Sequence, residues 1–185
     1  MSPSGNKPSH EELTERAKAV KLLVFDVDGV LTDGGLYYGP SGEAMKRFDV
    51  KDGHGLVMAR LVKLPAAILT ARKSQMVEVR GKELGFVAVE QGHKDKRKGL
   101  TEMLHRLSVE PAACAYMGDD LNDLAPMSMV GLPACPSDAA REVRHSALFV
   151  AHSPGGRGAA RELVELCLKA SGLWDEAMRL MLAVE

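Results

Sequence analysis

The sequence is poor in aromatic residues, 4% of its 185 positions, and in cysteine, of which it has three. Cys114, Cys135 and Cys167 lie far apart, each among apolar neighbours, which argues against a zinc cluster or a disulfide framework and for reduced thiols in a core. There is no excess of either charge: 24 Lys and Arg stand against 25 Asp and Glu, a net charge of -1. No global field therefore draws nucleic acid or an anionic membrane, and any anion must be captured locally. No apolar run approaches the roughly 18 residues of a membrane helix. The opening "MSPSGNKPSHEELTER" also lacks the basic start and apolar centre of a signal peptide. These absences predict a cytoplasmic protein without nucleic-acid or membrane partners.

What is present is a series of short, wholly apolar runs: residues 22–25, 66–70, 86–90, 113–118 and 147–151. Runs of this kind read as strands buried on both faces. Stretches with helical spacing lie between them, at residues 56–61, 76–84 and 100–107. The alternation predicts an α/β fold, a mostly parallel sheet with helices on both faces. Residues 1–20 read as a polar tail and a lead-in helix, and 21–185 as a single domain. A Gly-Pro-Ser-Gly turn between Leu36-Tyr37-Tyr38 and Met45 to Phe48 predicts a small β-hairpin inserted after the first strand, over about residues 36–48. Its apolar side chains suit an oligomer contact. Two further helices are expected in the C-terminal third, one carrying Leu163 and Val164 on its inner face and one carrying Trp174 and Met178.

In an open parallel sheet, ligands gather beyond the carboxyl ends of the strands, so the residues that follow each apolar run converge. Those residues are Asp26 and Asp28, then Thr70-Ala71-Arg72, then Lys96, then Asp119, Asp120 and Asp123. So many oxygen ligands without a nearby His or Cys cluster suit a hard divalent cation, and Mg2+ above all. Asp26 is placed to attack phosphorus and form an aspartyl phosphate, and Asp28 to protonate the leaving oxygen and later deprotonate water. Thr70 and the N-H that follows it, on Ala71, can hold phosphoryl oxygens, while Lys96 neutralises charge. Asp119 is the remaining metal ligand, and Asp120 and Asp123 support the metal's surroundings. Each motif alone has a plainer reading. A lone DxD occurs in calcium loops, a "GDD" is an acidic helix start, and Lys96 in "HKDKRKG" belongs equally to a solvated basic face. The weight lies in their order, one after each strand.

With these residues in view, "DVDG", Thr70, Lys96 and "GDDLND" resemble the four motifs of the haloacid dehalogenase superfamily of phosphohydrolases. The wider pattern, "DVDGVLTDG", "KDGHG", "LTAR", "QGHKDK" and "GGRGAARE", is similar to the cap-less subclass that contains 3-deoxy-D-manno-octulosonate 8-phosphate (KDO 8-phosphate) phosphatase. The resemblance implies a three-layer Rossmann-like fold with no cap domain. It implies Asp26 as nucleophile, Asp28 as acid/base and, through its backbone carbonyl, a Mg2+ ligand beside Asp119. It also implies a homotetramer built through the hairpins, in which the C-terminal segment 153–185, with Gly156 and Arg157, covers a neighbouring subunit's site. Arg72 and Arg80 suit the carboxylate of a sugar-acid phosphate. Lys51 is a further substrate-facing candidate, or else a surface lysine beside a helix start. Two alternatives stand: a 9-phosphate phosphatase of sialic-acid-type keto acids, and a catalytically idle oligomerisation module.

Overall fold

Apolar alternation decides which side of the sheet each layer occupies. The computed structural model describes residues 9–183, so the polar opening, residues 1–8, lies outside the described part. Six strands form one sheet in the order β5-β4-β1-β6-β7-β8: β1 (Leu22–Phe25), β4 (Ala66–Thr70), β5 (Ala88–Gln91), β6 (Cys114–Met117), β7 (Leu132–Cys135) and β8 (Phe149–Val150). Every pairing in it is parallel. Successive side chains of a strand point to opposite faces. Leu23, Phe25, Ile68, Ala115 and Met117 accordingly enter one core, and Leu22, Val24, Ala67, Leu69, Cys114 and Tyr116 the other.

The first core is covered by α1 (His10–Lys18), α2 (Val50–Leu61), α3 (Gln75–Leu84), α7 (Ala159–Ala170) and α8 (Trp174–Leu182). The second is covered by α4 (Lys96–Leu107), α5 (Leu124–Met127) and α6 (Arg141–Ser146). The result is the expected three layers. A separate two-stranded antiparallel sheet, β2 (Tyr37–Gly39) with β3 (Gly42–Met45), forms the expected hairpin between β1 and α2. The three cysteines are free and buried.

Two differences from the sequence expectation have local causes. Strand β7 was not anticipated, because Pro133 stands inside "LPAC" and a proline lacks the donor that a central strand uses. It is nonetheless central: Pro133 sits opposite Tyr116, and its carbonyl accepts the N-H of Leu148 at 2.9 Å. Strand β5 begins two residues later than the apolar run 86–90, since the N-H of Phe86 is taken by Gly81 at the end of α3.

Candidate active site

β1 ends with Phe25 fully buried, and the chain leaves the sheet at Asp26, whose N-H donates to Met117 O at 3.0 Å. The turn that follows is closed by the N-H groups of Val30, Leu31 and Thr32 on Val27 O. Gly29 has a φ of 82°, and a Cβ there would overlap the Asp119 carboxylate. A glycine at this point lets the DxD turn and the loop after β6 lie against each other, which brings Asp26 and Asp119 together.

One carboxylate oxygen from each of Asp26, Asp119 and Asp123 lies within 4.8 Å of the other two. Lys96, at the start of α4 and fully buried, places its ammonium 2.7 Å from Asp26 Oδ2 and 2.7 Å from Asp123 Oδ1. Asp123 is fully engaged. Its Oδ1 also accepts from the Tyr116 hydroxyl at 2.7 Å, and its Oδ2 accepts from the N-H groups of Asp119 at 3.1 Å and Asp120 at 3.3 Å. It therefore fixes Lys96 and the Asp119 loop. Asp26 Oδ1, by contrast, is buried with no hydrogen-bond partner among the described residues. An orphaned carboxylate oxygen is costly unless something positive meets it.

Charge points the same way. Three carboxylates facing one ammonium leave two negative charges uncompensated, which is the deficit a divalent cation fills. Burial pushes the Asp26 carboxyl up to about 6, against the pull of Lys96. Burial also raises Asp119, to about 8, with Asp26 and Asp123 adding repulsion. Lys96 is desolvated, yet the two aspartates beside it hold its ammonium above the ordinary lysine value. The donor set thus fits a hard cation bound by Asp26 and Asp119.

Asp26, Asp28, Thr70, Ala71, Arg72, Asp119 and Asp120 all line one cleft of about 220 Å³, together with Gly29, Gly34 and Asn122. Thr70 ends β4 and is buried, and Ala71 and Arg72 follow it directly. Arg72 Nε lies 3.5 Å from Asp28 Oδ2. Larger cavities, of about 260 and 390 Å³, open elsewhere and contain none of the strand-end aspartates.

Four expected residues stand apart from this cleft. Arg80 pairs with Glu83 at 2.9 Å and lines the cavity of about 390 Å³ beside α3, because its helical position turns it toward α2 rather than toward Arg72. Lys51 is an exposed residue in the first turn of α2, and its N-H is held by Asp49. Gly156 packs against the chain's own DxD turn, with its N-H 2.8 Å from Val30 O and its carbonyl accepting from Arg47 at 2.8 Å. Arg157 beside it is exposed. Two participants were missed from sequence. Tyr116 was hidden as one apolar residue of a strand, and Lys46 reads as an ordinary polar residue of a hairpin. The buried Lys46 ammonium in fact meets Asp28 Oδ1 and, at 3.1 Å, Glu43 Oε1.

A family profile described as haloacid dehalogenase-like hydrolase matches residues 62–163. The 3-deoxy-D-manno-octulosonate 8-phosphate phosphatase KdsC of Salmonella typhi is 41% identical over 170 residues, 92% of this chain and 90% of that one. The chain belongs to the haloacid dehalogenase-like hydrolases. Among solved members of this hydrolase family, the 3-deoxy-D-manno-octulosonate 8-phosphate phosphatase of Moraxella catarrhalis, in complex with magnesium ion, phosphate ion and KDO, superposes with a TM-score of 0.90 at 37% identity. The match covers 93% of this hydrolase and 99% of that chain. The enzyme of the same name from Yersinia pestis gives a TM-score of 0.88 at 38% identity, covering 91% of each chain.

Proposed function

We propose that this chain is a Mg2+-dependent phosphomonoesterase that hydrolyses KDO 8-phosphate to KDO and inorganic phosphate, through an aspartyl phosphate on Asp26. The observation that carries the reading is the cleft itself. A buried carboxylate with one orphaned oxygen stands beside a second metal-competent carboxylate, the two following the adjacent parallel strands β1 and β6, and both lie by a buried ammonium at the start of α4. Relatives about 40% identical over nine-tenths of the chain carry this activity in their names, which supports the choice of substrate.

The side chains of Asp26 and Asp119 and the backbone carbonyl of Asp28 would hold the metal. Bound Mg2+ supplies the positive charge that lets both carboxylates ionise together beside a phosphate dianion. Thr70 and the Ala71 N-H hold phosphoryl oxygens, and Lys96 keeps Asp26 ionised and oriented. Asp26 attacks phosphorus. As the Asp26–phosphorus bond forms, the bond from phosphorus to the sugar oxygen breaks, and Asp28 gives its proton to that oxygen. Water then attacks the aspartyl phosphate, Asp28 takes its proton, and Asp26 is regenerated with release of phosphate. Arg72, at the rim, offers a planar fork for the carboxylate of the sugar acid.

Residues 21–185 act as one phosphatase unit in the cytoplasm, and its KDO serves lipopolysaccharide synthesis. No described helix is long and apolar enough to cross a membrane. The hairpin exposes Leu36, Tyr37, Tyr38 and Met45, an apolar surface suited to a homotetramer in which Arg157 reaches a neighbour's cleft. Phosphate release from KDO 8-phosphate, with and without EDTA, tests the reading. Activity abolished by chelation and restored by Mg2+ supports it, and activity indifferent to chelation refutes it.

A further inference from the structure

We propose that Lys46, carried by the hairpin, is a positioning residue for Asp28: it holds that carboxylate where it can protonate the leaving sugar oxygen. The inference rests on the phosphatase reading above and assigns the inserted hairpin a part in the chemistry.

Of residues 36–46 only Lys46 is buried; Tyr38 and Met45, on the strands of the hairpin, are 64% and 56% exposed. The lysine side chain is 1% exposed, and its ammonium meets Asp28 Oδ1 and Glu43 Oε1. Arg72 approaches the same pair from the other side, with Nε 3.5 Å from Asp28 Oδ2 and Nη2 3.3 Å from Glu43 Oε1. The Tyr38 hydroxyl accepts from that same Nη2 at 3.3 Å. Glu43 therefore bridges the two cations. Burial would push its carboxyl up, but its hydrogen bonds, those from Lys46 and Arg72 among them, hold it below the usual value.

The two oxygens of Asp28 are unequal. Oδ1 is taken by a buried ammonium, whereas Oδ2 faces a guanidinium on a side chain 42% exposed, in the cleft. Lys46 thus fixes Oδ1, and Oδ2, with Arg72 Nε 3.5 Å away, is the oxygen left on the cleft side, toward the leaving group. Lys46 does not line the cleft. It acts through Asp28, by fixing the carboxylate plane and by separating Asp28 from Glu43, two carboxylates that share it as counter-ion.

A general acid must lie within hydrogen-bond reach of the atom it protonates, and a displacement of about 1 Å can cost on the order of 10²-fold. A sugar alkoxide needs that proton. A nitrophenolate leaves without it. The test is to measure kcat and KM of wild type, Lys46→Met and Lys46→Arg on KDO 8-phosphate and on 4-nitrophenyl phosphate. For Lys46→Met the expected result is a kcat/KM on the sugar phosphate lower by about 10²-fold and on the aryl phosphate within about 3-fold, because kcat/KM reports formation of the aspartyl phosphate and leaves out its hydrolysis, where Asp28 serves both substrates alike. Lys46→Arg keeps the charge, and is expected to show the same selective loss at smaller size and to fold if the methionine variant does not. Equal losses of kcat/KM on both phosphates, or no loss on either, overturn the proposal. Wild type inert toward KDO 8-phosphate but active on other alkyl phosphates overturns the substrate assignment alone, and the Lys46 comparison is then read on such a phosphate. Absence of all phosphatase activity overturns both.

Discussion

Asp26 is expensive to keep where it is: buried, beside two other carboxylates, with one oxygen unpartnered. A residue so placed serves chemistry rather than packing. Asp26→Asn is therefore expected to lower turnover by about 10⁴-fold or more while leaving the melting temperature unchanged or raised, as measured by phosphate release and thermal melts. The same cost gives a pH signature. The folded-state values of Asp26, about 6, and Asp119, about 8, lie above the ordinary carboxyl value of 3.8. Their protonated forms thus favour folding: that stability is complete below the ordinary value and is lost as pH rises through 6 and 8. Chelated protein is expected to melt lower at pH 8.5 than at pH 5. Mg2+ should raise the melting temperature most at the higher pH, because its ligands must be deprotonated. A melting temperature in EDTA that rises over this range contradicts the electrostatic account. Most cleft residues were legible in the sequence, because each follows an apolar run and a parallel sheet brings such positions together. Lys46 was not, because nothing in "GEAMKRF" signals that its lysine folds inward onto a carboxylate 18 positions earlier.

Helix α7 begins without a side-chain cap of its own, after Gly158 at a φ of 115°. Its cap comes from α2. Asp52, buried there, accepts from the N-H groups of Gly158 at 3.2 Å and Arg161 at 2.9 Å. Negative charge at a helix start is favourable, and it satisfies donors that the first turn would otherwise leave open. Asp52→Ala is expected to cost about 1–2 kcal/mol of stability, measured by chemical denaturation, and an unchanged midpoint would count against this cap. This contact was illegible in sequence, since "VKDGHG" reads as a helix start in its own right and the partner lies 106 positions away. Elements with uninterrupted apolar runs, such as β1, β4 and β6, were legible. β7 escaped because Pro133 broke the pattern that its neighbours display. Arg80 and Arg72 look alike in sequence but end in different cavities, because a strand end faces the cleft and a helix turn does not.

For the molecule as a whole, the cleft of about 220 Å³ has no cap domain over it among the described residues, and its chemistry requires that water be excluded. In the homotetramer proposed above, a second subunit is the cover, reached through the exposed apolar hairpin and the exposed Arg157. On that proposal the mass in solution, read by light scattering, is that of a tetramer, and replacing Leu36 and Met45 by aspartate shifts it to a monomer and weakens turnover; a tetramer unchanged by the substitutions would remove the hairpin from the interface. Arg157→Ala is expected to raise KM in the intact assembly, and unchanged kinetics would reject its reach into a neighbour. All of this depends on covalent chemistry at one side chain. The most direct measurement is to quench a single turnover in acid and locate the phosphorylated residue by mass spectrometry after borohydride reduction of the acyl phosphate. The account predicts modification at Asp26, and none when Mg2+ is chelated. A turnover that proceeds with no labelled Asp26, or with the label on another residue, contradicts it.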